Sequence, residues 1–161
     1  LNVAARIVSK FPQIDKLWLL TGEGQMFADA RQRGMQIPFY NTDVEQHIAS
    51  LDRLEAECDL VVLPVGDCDL AMVYNGRAMG AVVPPGTIVL LKAIDADAII
   101  PGEEYVIVCQ KIVTLRIVRA ADAEGKYRLV PGDRENFDDI VVNASDITSV
   151  YKVKGKLIIN S

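Results

Sequence analysis

Residues 68–95 read CDLAMVYNGRAMGAVVPPGTIVLLKAID, and this stretch decides the fold class. Two apolar runs, residues 69–74 and 87–94, flank a segment that contains Asn75-Gly76 and Pro84-Pro85-Gly86. Short runs rich in Val, Leu and Ile between Gly and Pro residues are typical of β-strands joined by turns. Asn-Gly is also the preferred pair in tight hairpins whose turn residues both have positive φ. The stretch therefore predicts two strands, with a hairpin turn at Asn75-Gly76.

The same pattern extends from residue 59 to the end of the sequence. Further apolar runs such as EYVIVCQ, KIVTLRIVRA and SVYKVKGKLI are separated by turn-forming segments such as PGE, AEGK and PGDREN. No helical stretch alternates with these runs, which disfavours a parallel α/β sheet. The sequence predicts a mainly β, antiparallel domain over residues 59–161.

The part of the chain before residue 59 has a different pattern. Residues 1–26 carry apolar side chains at helical spacing, broken by Pro12, and predict short helices. Residues 27–58 predict a linker that contains one amphipathic helix, over about 43–57. Thr42 and Glu45 form a capping-box pattern at the start of that helix.

Composition excludes several classes of function. The chain has 161 residues and a net charge of −5, so by itself it should bind nucleic acid poorly. Its first residues are nevertheless basic, because they include Arg6, Lys10 and Lys16. Its three cysteines form no CxxC pair, and its single histidine, His47, has no ligand partner nearby in sequence. No apolar run approaches a membrane span, and residues 1–20 lack the features of a signal peptide. We expect a cytoplasmic protein without a metal, a cofactor or a membrane partner.

Motifs that carry catalysis are also missing. The sequence contains no GxSxG, no P-loop and no HExxH, and no Cys/His pair is placed for nucleophilic work. The acidic run GDRENFDD, residues 132–139, does not have the spacing of an EF-hand loop, so it predicts a solvated turn.

An ordered series of motifs over about 60–161 resembles the C-terminal domain of LexA-like and phage-repressor-like regulators, which are self-cleaving serine–lysine peptidases. The series runs through CDLAMVYNGRAM (68–79), VPPGTIVLLKAID (83–95), PGEEYVIVCQ (101–110) and KIVTLRIVRA (111–120). YRLVPGDRENFDDIVV (127–142) and SVYKVKGKLI (149–158) resemble the closing strands of that family. The resemblance implies a LexA C-terminal-like β domain preceded by a short helical remnant and a linker.

Residues 1–26 resemble the last helices of a repressor-type helix-turn-helix domain, in which a WLLTGEG segment leads into the linker. The resemblance implies that the recognition helix precedes Leu1, that operator DNA is bound through this domain, and that the protein is a homodimer, because operators of such repressors are palindromic. It implies that the β domain is the C-terminal dimerisation and regulatory domain of a DNA-binding transcriptional repressor.

The resemblance places the family's catalytic residues on positions that lack the chemistry. The serine position holds Ala78, the aspartate before it is Arg77, and the lysine position holds Arg116. Residues 27–60 also contain no Ala-Gly or Cys-Gly bond, which is the bond that such proteins cut in their own linker. These substitutions predict a degenerate peptidase fold without enzymatic activity.

Two alternatives remain open for this domain. One is an active self-cleaving peptidase, and the other is a regulatory module that binds a peptide, a protein or its own linker. The former substrate cleft would then be formed by Arg77, Ala78, Met79 and Arg116, with Arg116 either pairing a carboxylate in the cleft or lying on the surface of its strand.

The C-terminal run ITSVYKVKGKLII is a candidate dimer interface, because it is more apolar than an isolated edge strand should be. An ordinary core strand is the alternative interpretation. The residues predicted to face a second copy are Val150, Tyr151, Val153, Leu157 and Ile158.

Overall fold

The computed structural model describes residues 35–62 and 67–159. The helices predicted over 1–26 and the first part of the predicted linker lie outside these residues. By its contacts the chain divides into two compact units, Leu1–Gln36 with Val61–Pro64 and Ile37–Leu60 with Val65–Ser161. The residues discussed below as a site all belong to the second unit.

The described strands form one open mixed sheet, in the order β2-β1-β3-β4-β9-β5-β6-β7-β8. The prediction of a mainly β fold is confirmed. The strands are β1 (Met35–Asp43), β2 (Cys58–Val62), β3 (Leu70–Tyr74), β4 (Thr87–Ile94), β5 (Glu104–Cys109), β6 (Val113–Ala120), β7 (Lys126–Val130), β8 (Ile140–Asn143) and β9 (Ile147–Leu157).

The sheet is mixed because of β1, which precedes the predicted antiparallel domain over residues 59–161. This strand begins inside the segment predicted as a linker and pairs in parallel with β3, with Phe39 opposite Ala71. A helical segment and β2 lie between β1 and β3 in sequence, and a parallel pair requires such a crossover. The pairings of β4 to β9 with their neighbours, and of β3 with β4, are antiparallel.

The predicted helix over 43–57 is shorter and less regular than the pattern indicated. An α-helix, α1, spans Val44–His47 and continues into a 3-10 helix, Ile48–Arg53, which contains a non-helical residue at Ser50. The N-cap is Asp43, whose Oδ2 accepts from the Gln46 amide at 3.1 Å. The prediction of a capping box formed by Thr42 and Glu45 is therefore wrong, and the Glu45 side chain accepts from the Leu115 amide instead.

Asn75-Gly76 does not form the predicted tight hairpin. Neither residue has a positive φ, and β3 and β4 are joined by a longer loop, residues 75–86, in which Gly80 and Gly86 have positive φ. The Gly86 amide donates to the Tyr74 carbonyl at 2.7 Å and closes the ends of the loop. The Asn75 amide donates to Asp43 Oδ1 at 2.9 Å, so a contact from the first part of the chain holds the backbone where local preference favours a turn.

Two apolar clusters hold the sheet together, and the central strands contribute to both. In β5, Val106 and Val108 belong to the first cluster and Tyr105 and Ile107 to the second, as alternation of side chains along a strand requires. The first cluster contains Val44 and Ile48, so α1 and the 3-10 helix pack on the sheet through these two buried side chains. This packing brings the polar side of α1 close to the beginning of β6.

Candidate functional site

Ala78 lies in a closely packed turn of the 75–86 loop. Its carbonyl accepts from the Asp133 amide at 2.9 Å, and hydrogen bonds from Gly80 to Arg77 and from Val82 to Met79 form the turn. Ala78 is buried, Met79 belongs to the first apolar cluster and Arg77 is exposed. A methyl group here supplies no nucleophile and no proton.

The segment 131–139 packs against this turn at Gly132. A Cβ atom at Gly132 would overlap the Met79 carbonyl oxygen, so only glycine permits the contact. Asp133 accepts from the backbone and side chain of Asn136, and these hydrogen bonds lower the pKa of its carboxyl. Asp139 lies 3.5 Å from Arg128 and 3.8 Å from Arg134. The carboxylates of Asp133 and Asp139 in the acidic run are thus paired with nearby side chains of the same chain.

Arg116 is buried, which excludes the interpretation that it lies on the surface of its strand. Its Nε donates to Thr114 Oγ1 at 3.3 Å and its Nη1 donates to the Asp138 carbonyl at 3.0 Å. A guanidinium group remains protonated in proteins and tolerates burial when its donors are satisfied. Arg116 therefore supplies a fixed positive charge that cannot accept a proton.

Glu45 joins this site although the sequence assigned it to a helix cap. Its Oε2 accepts from the Leu115 amide at 2.9 Å, across 70 positions of sequence. β7 pairs with β6 only from Ile117 onward, so Glu45 supplies an acceptor where no strand does. Burial raises the pKa of Glu45, while the Leu115 amide, the Thr114 hydroxyl and the charge of Arg116 oppose that increase. A carboxylate close to Arg116 is therefore present, and it comes from α1.

Tyr74 ends beside Glu45 without a hydrogen-bond partner. Its side chain is fully buried, and no described residue forms a hydrogen bond of good geometry with its hydroxyl. Burial is the main cause that raises the pKa of Tyr74 to about 12, with the negative charge of Glu45 adding to it. The Met79 amide faces the phenol oxygen and lowers the pKa, but it leaves the phenol proton without an acceptor.

Gly76 is the residue that lets these two side chains come together. A Cβ atom at Gly76 would lie 2.6 Å from the Tyr74 hydroxyl and 2.7 Å from Glu45 Oε1. Both distances are shorter than any contact that a real Cβ makes, so a larger residue would displace one oxygen or the other. Two polar oxygens therefore converge on the Cα of Gly76.

A cleft of about 620 Å³ opens beside this convergence. Asp43, Glu45, Asn75, Gly76 and Val113 are among the residues that line it. Arg77, Ala78, Met79 and Arg116, the residues predicted to form a substrate cleft, are not part of its lining. The cleft is thus lined by side chains other than those that the resemblance indicates.

The predicted dimer strand β9 lies in the middle of the sheet, between β4 and β5. Val150 is buried in the second cluster, and Tyr151 and Val153 pack against the first, so these three side chains serve the core of their own chain. Leu157 and Ile158 are 45% and 50% exposed. β5 pairs with β9 only as far as Lys152, so the end of β9 has a free side in the described part of the chain.

Within residues 35–62 and 67–159, no group of three or more His, Cys, Asp or Glu side chains is arranged to hold a metal ion. The same residues include no helix long and apolar enough to cross a membrane. No model of a known protein family matches the chain, and no curated protein matches it significantly.

Proposed function

We propose that the chain is part of a LexA-like or phage-repressor-like transcriptional regulator whose β domain pairs two chains and has no peptidase activity. Operator DNA would be bound through a helix-turn-helix domain to which residues 1–26 belong. The observation that carries the proposal is the pair of replacements at the catalytic positions, Ala78 for serine and Arg116 for lysine.

The chemistry of the two replacements supports the loss of activity. A serine–lysine dyad requires a hydroxyl nucleophile and a neutral amine that takes its proton. Ala78 has no heteroatom in its side chain, and Arg116, whose Nε and Nη1 donate to Thr114 and the Asp138 carbonyl, carries a guanidinium that does not give up its proton. Both halves of the reaction therefore lack the group that would perform it.

The end of β9 supports self-association. Leu157 and Ile158 continue into Ile159, which is 69% exposed, and this side of β9 is not covered by β5. An apolar strand end with a free side can pair with the same segment of a second copy. Pairing would multiply the affinity of two DNA-binding domains through their effective concentration.

Light scattering coupled to size-exclusion chromatography tests the self-association. We expect a dimer, and we expect Leu157→Asp together with Ile158→Asp to shift it to the monomer at micromolar concentration. Val141→Asp is the matched control, because Val141 is also exposed but lies in β8 at the far edge of the sheet. A wild-type chain that remains monomeric at high micromolar concentration would refute the dimer.

Incubation at alkaline pH tests the absence of cleavage. The wild-type chain should remain intact on a denaturing gel after long incubation. A discrete cut within residues 27–60 of the wild type would instead establish an active peptidase.

A further inference from the structure

Asn75-Gly76 is a sequence motif that the fold does not use as a tight hairpin. Both residues lie between the end of β3 and the turn around Ala78, outside any strand. Asn75 is exposed, and both residues line the cleft beside α1, so water reaches them. Asparagine is among the thermally labile residues of proteins. The pair is therefore placed where the side chain of Asn75 can react with the main chain that follows it.

The two groups that would react are not held by hydrogen bonds to other residues in the part of the chain that the structure describes. The side-chain amide of Asn75 forms none, and the backbone amide of Gly76 donates to no acceptor. Asn75 is held only through its own backbone amide, which donates to Asp43 Oδ1 at 2.9 Å and is not the nitrogen that reacts. Gly76 has no side chain that would shield its nitrogen.

Two other exposed asparagines, Asn136 and Asn143, have a different environment. The side-chain amide of Asn136 donates to Asp133 at 2.9 Å, and that of Asn143 donates to Asp146 at 3.0 Å. Neither is followed by glycine. They are internal references for what exposure alone does to an asparagine of this chain.

We propose that Asn75 is a site of spontaneous deamidation, which converts it to aspartate or isoaspartate where the 75–86 loop meets α1. The Gly76 nitrogen bonds to the side-chain carbonyl carbon of Asn75, and its proton leaves with the side-chain nitrogen as ammonia. Water then opens the resulting succinimide. Opening at the side-chain carbonyl gives aspartate, and opening at the main-chain carbonyl gives isoaspartate. The sum of the steps is the hydrolysis of an amide by water, without an oxidant or a cofactor.

The product alters the contact between the loop and α1. Asp43 caps α1 by accepting from the Gln46 amide, and it also accepts from Asn75. A carboxylate at position 75 would lie close to Asp43 on the wall of a cleft that Glu45 also lines, and like charges at such distances repel. Isoaspartate also inserts a carbon atom into the main chain beside this contact. Deamidation thus weakens the attachment of α1 irreversibly as the chain ages, and it does not depend on the proposed regulatory function.

Incubation of the whole folded chain at neutral pH and physiological temperature, followed by trypsin and mass spectrometry, tests the reaction. Trypsin releases residues 54–77, in which Asn75 is the only side-chain amide, and residues 135–152, which contain Asn136 and Asn143. We expect the first peptide to gain the mass difference between an amide and an acid and to react with protein isoaspartyl methyltransferase. The second peptide should remain unmodified over the same period. Equal modification of both peptides, or none in the first, would overturn the proposal.

Two variants at position 75 separate the reaction from its consequence. Asn75→Gln keeps the amide but would have to close a larger ring, so it should remain unmodified. Asn75→Asp carries the charge of the product and should lower the folding equilibrium constant by about fivefold relative to Asn75→Gln, measured by urea denaturation. Gln110→Glu is the control, because it adds the same charge at an exposed position between β5 and β6 and should leave the constant unchanged. Asn75→Asp as stable as Asn75→Gln would contradict a weakened attachment of α1.

Discussion

The two positions at which the resemblance places a catalytic dyad differ in what their side chains do in this structure. Ala78 lies in a packed turn where its side chain contributes only a methyl group and its backbone does the bonding, through the Asp133 amide. Arg116 is buried as well, but its side chain is tied to Thr114 and the Asp138 carbonyl, with Glu45 nearby. One position thus contributes to apolar packing and the other to a buried polar network. The fold should therefore tolerate change at Ala78 and depend on the side chain at Arg116.

Removal of the Arg116 side chain should have the largest effect. Arg116→Ala leaves the Asp138 carbonyl and the Thr114 hydroxyl without a donor and opens a cavity, so the free energy of unfolding should decrease by about 3 kcal/mol. Arg119→Ala in the same strand is the control, since Arg119 is exposed and should cost no more than about 0.5 kcal/mol. Urea denaturation of both variants measures the difference, and equal losses would show that burial of Arg116 is not important.

Arg116→Lys should have an intermediate effect. The ammonium group keeps the charge but is a compact donor that cannot replace the planar fork between Thr114 and Asp138, so we expect a loss of about 1.5 kcal/mol. The same denaturation experiment measures it. A lysine variant as stable as the wild type would mean that charge alone, rather than the geometry of the guanidinium, is required at this position.

Glu45→Gln should change how stability depends on pH more than stability itself. Burial raises the pKa of Glu45 above its ordinary value of 4.5, so the folded chain holds this proton more tightly than the unfolded chain does. The stability that this group contributes is then greatest below the unfolded pKa and decreases as the pH rises through the interval up to the folded pKa. The wild type should lose stability relative to Glu45→Gln as the pH is raised from 4.5, and the difference should then level off.

Denaturation at a series of pH values measures this dependence, with Asp52→Asn as the control for an exposed carboxylate of the same segment. A difference between wild type and Glu45→Gln that stays constant with pH would contradict a raised pKa at Glu45.

Ala78→Ser should have the smallest effect. The turn accepts a hydroxyl that can bond to its own backbone, so the free energy of unfolding should change by about 0.5 kcal/mol. No cleavage should follow, because Arg116 still cannot take a proton. The variant is incubated at alkaline pH beside Ala78→Ser combined with Arg116→Lys. Fragments from the single variant would show that another group acts as the base.

The strand pattern of the domain was predictable because it is local. The run EYVIVCQ contains β5, in which the five residues from Tyr105 to Cys109 are all buried and apolar. Asn75-Gly76 misled because its turn preference is also local, whereas Asp43 and the side chains around Gly76 fix the backbone from elsewhere in the chain. Pair preferences predict a turn only where no distant contact competes.

The polar part of the site could not be predicted from the sequence. Glu45 and Leu115 are far apart along the chain, and nothing in the pattern around either residue indicates the other. A weak signal existed at Asp43, which is a good N-cap residue and directly follows Thr42. If Asp43 rather than Thr42 caps the helix, Glu45 has no role in the cap and is available for another contact. The position of β9 inside the sheet could not be predicted either, since an apolar run has the same sequence pattern in an edge strand and in a central strand.

The position of β9 also bears on how the chain folds. This strand follows every other described strand in sequence, yet it joins β4 to β5. The β3–β4 pair and the group β5 to β8 can each form from neighbouring segments, but they remain separate until residues 147–157 have been synthesised and inserted between them. Pairings such as Ile88 with Leu157 are distant in sequence, and contacts of this kind slow folding. Until that insertion, β4 and β5 expose apolar edges on the ribosome, and the nascent chain is vulnerable to aggregation for as long as the last strand is missing.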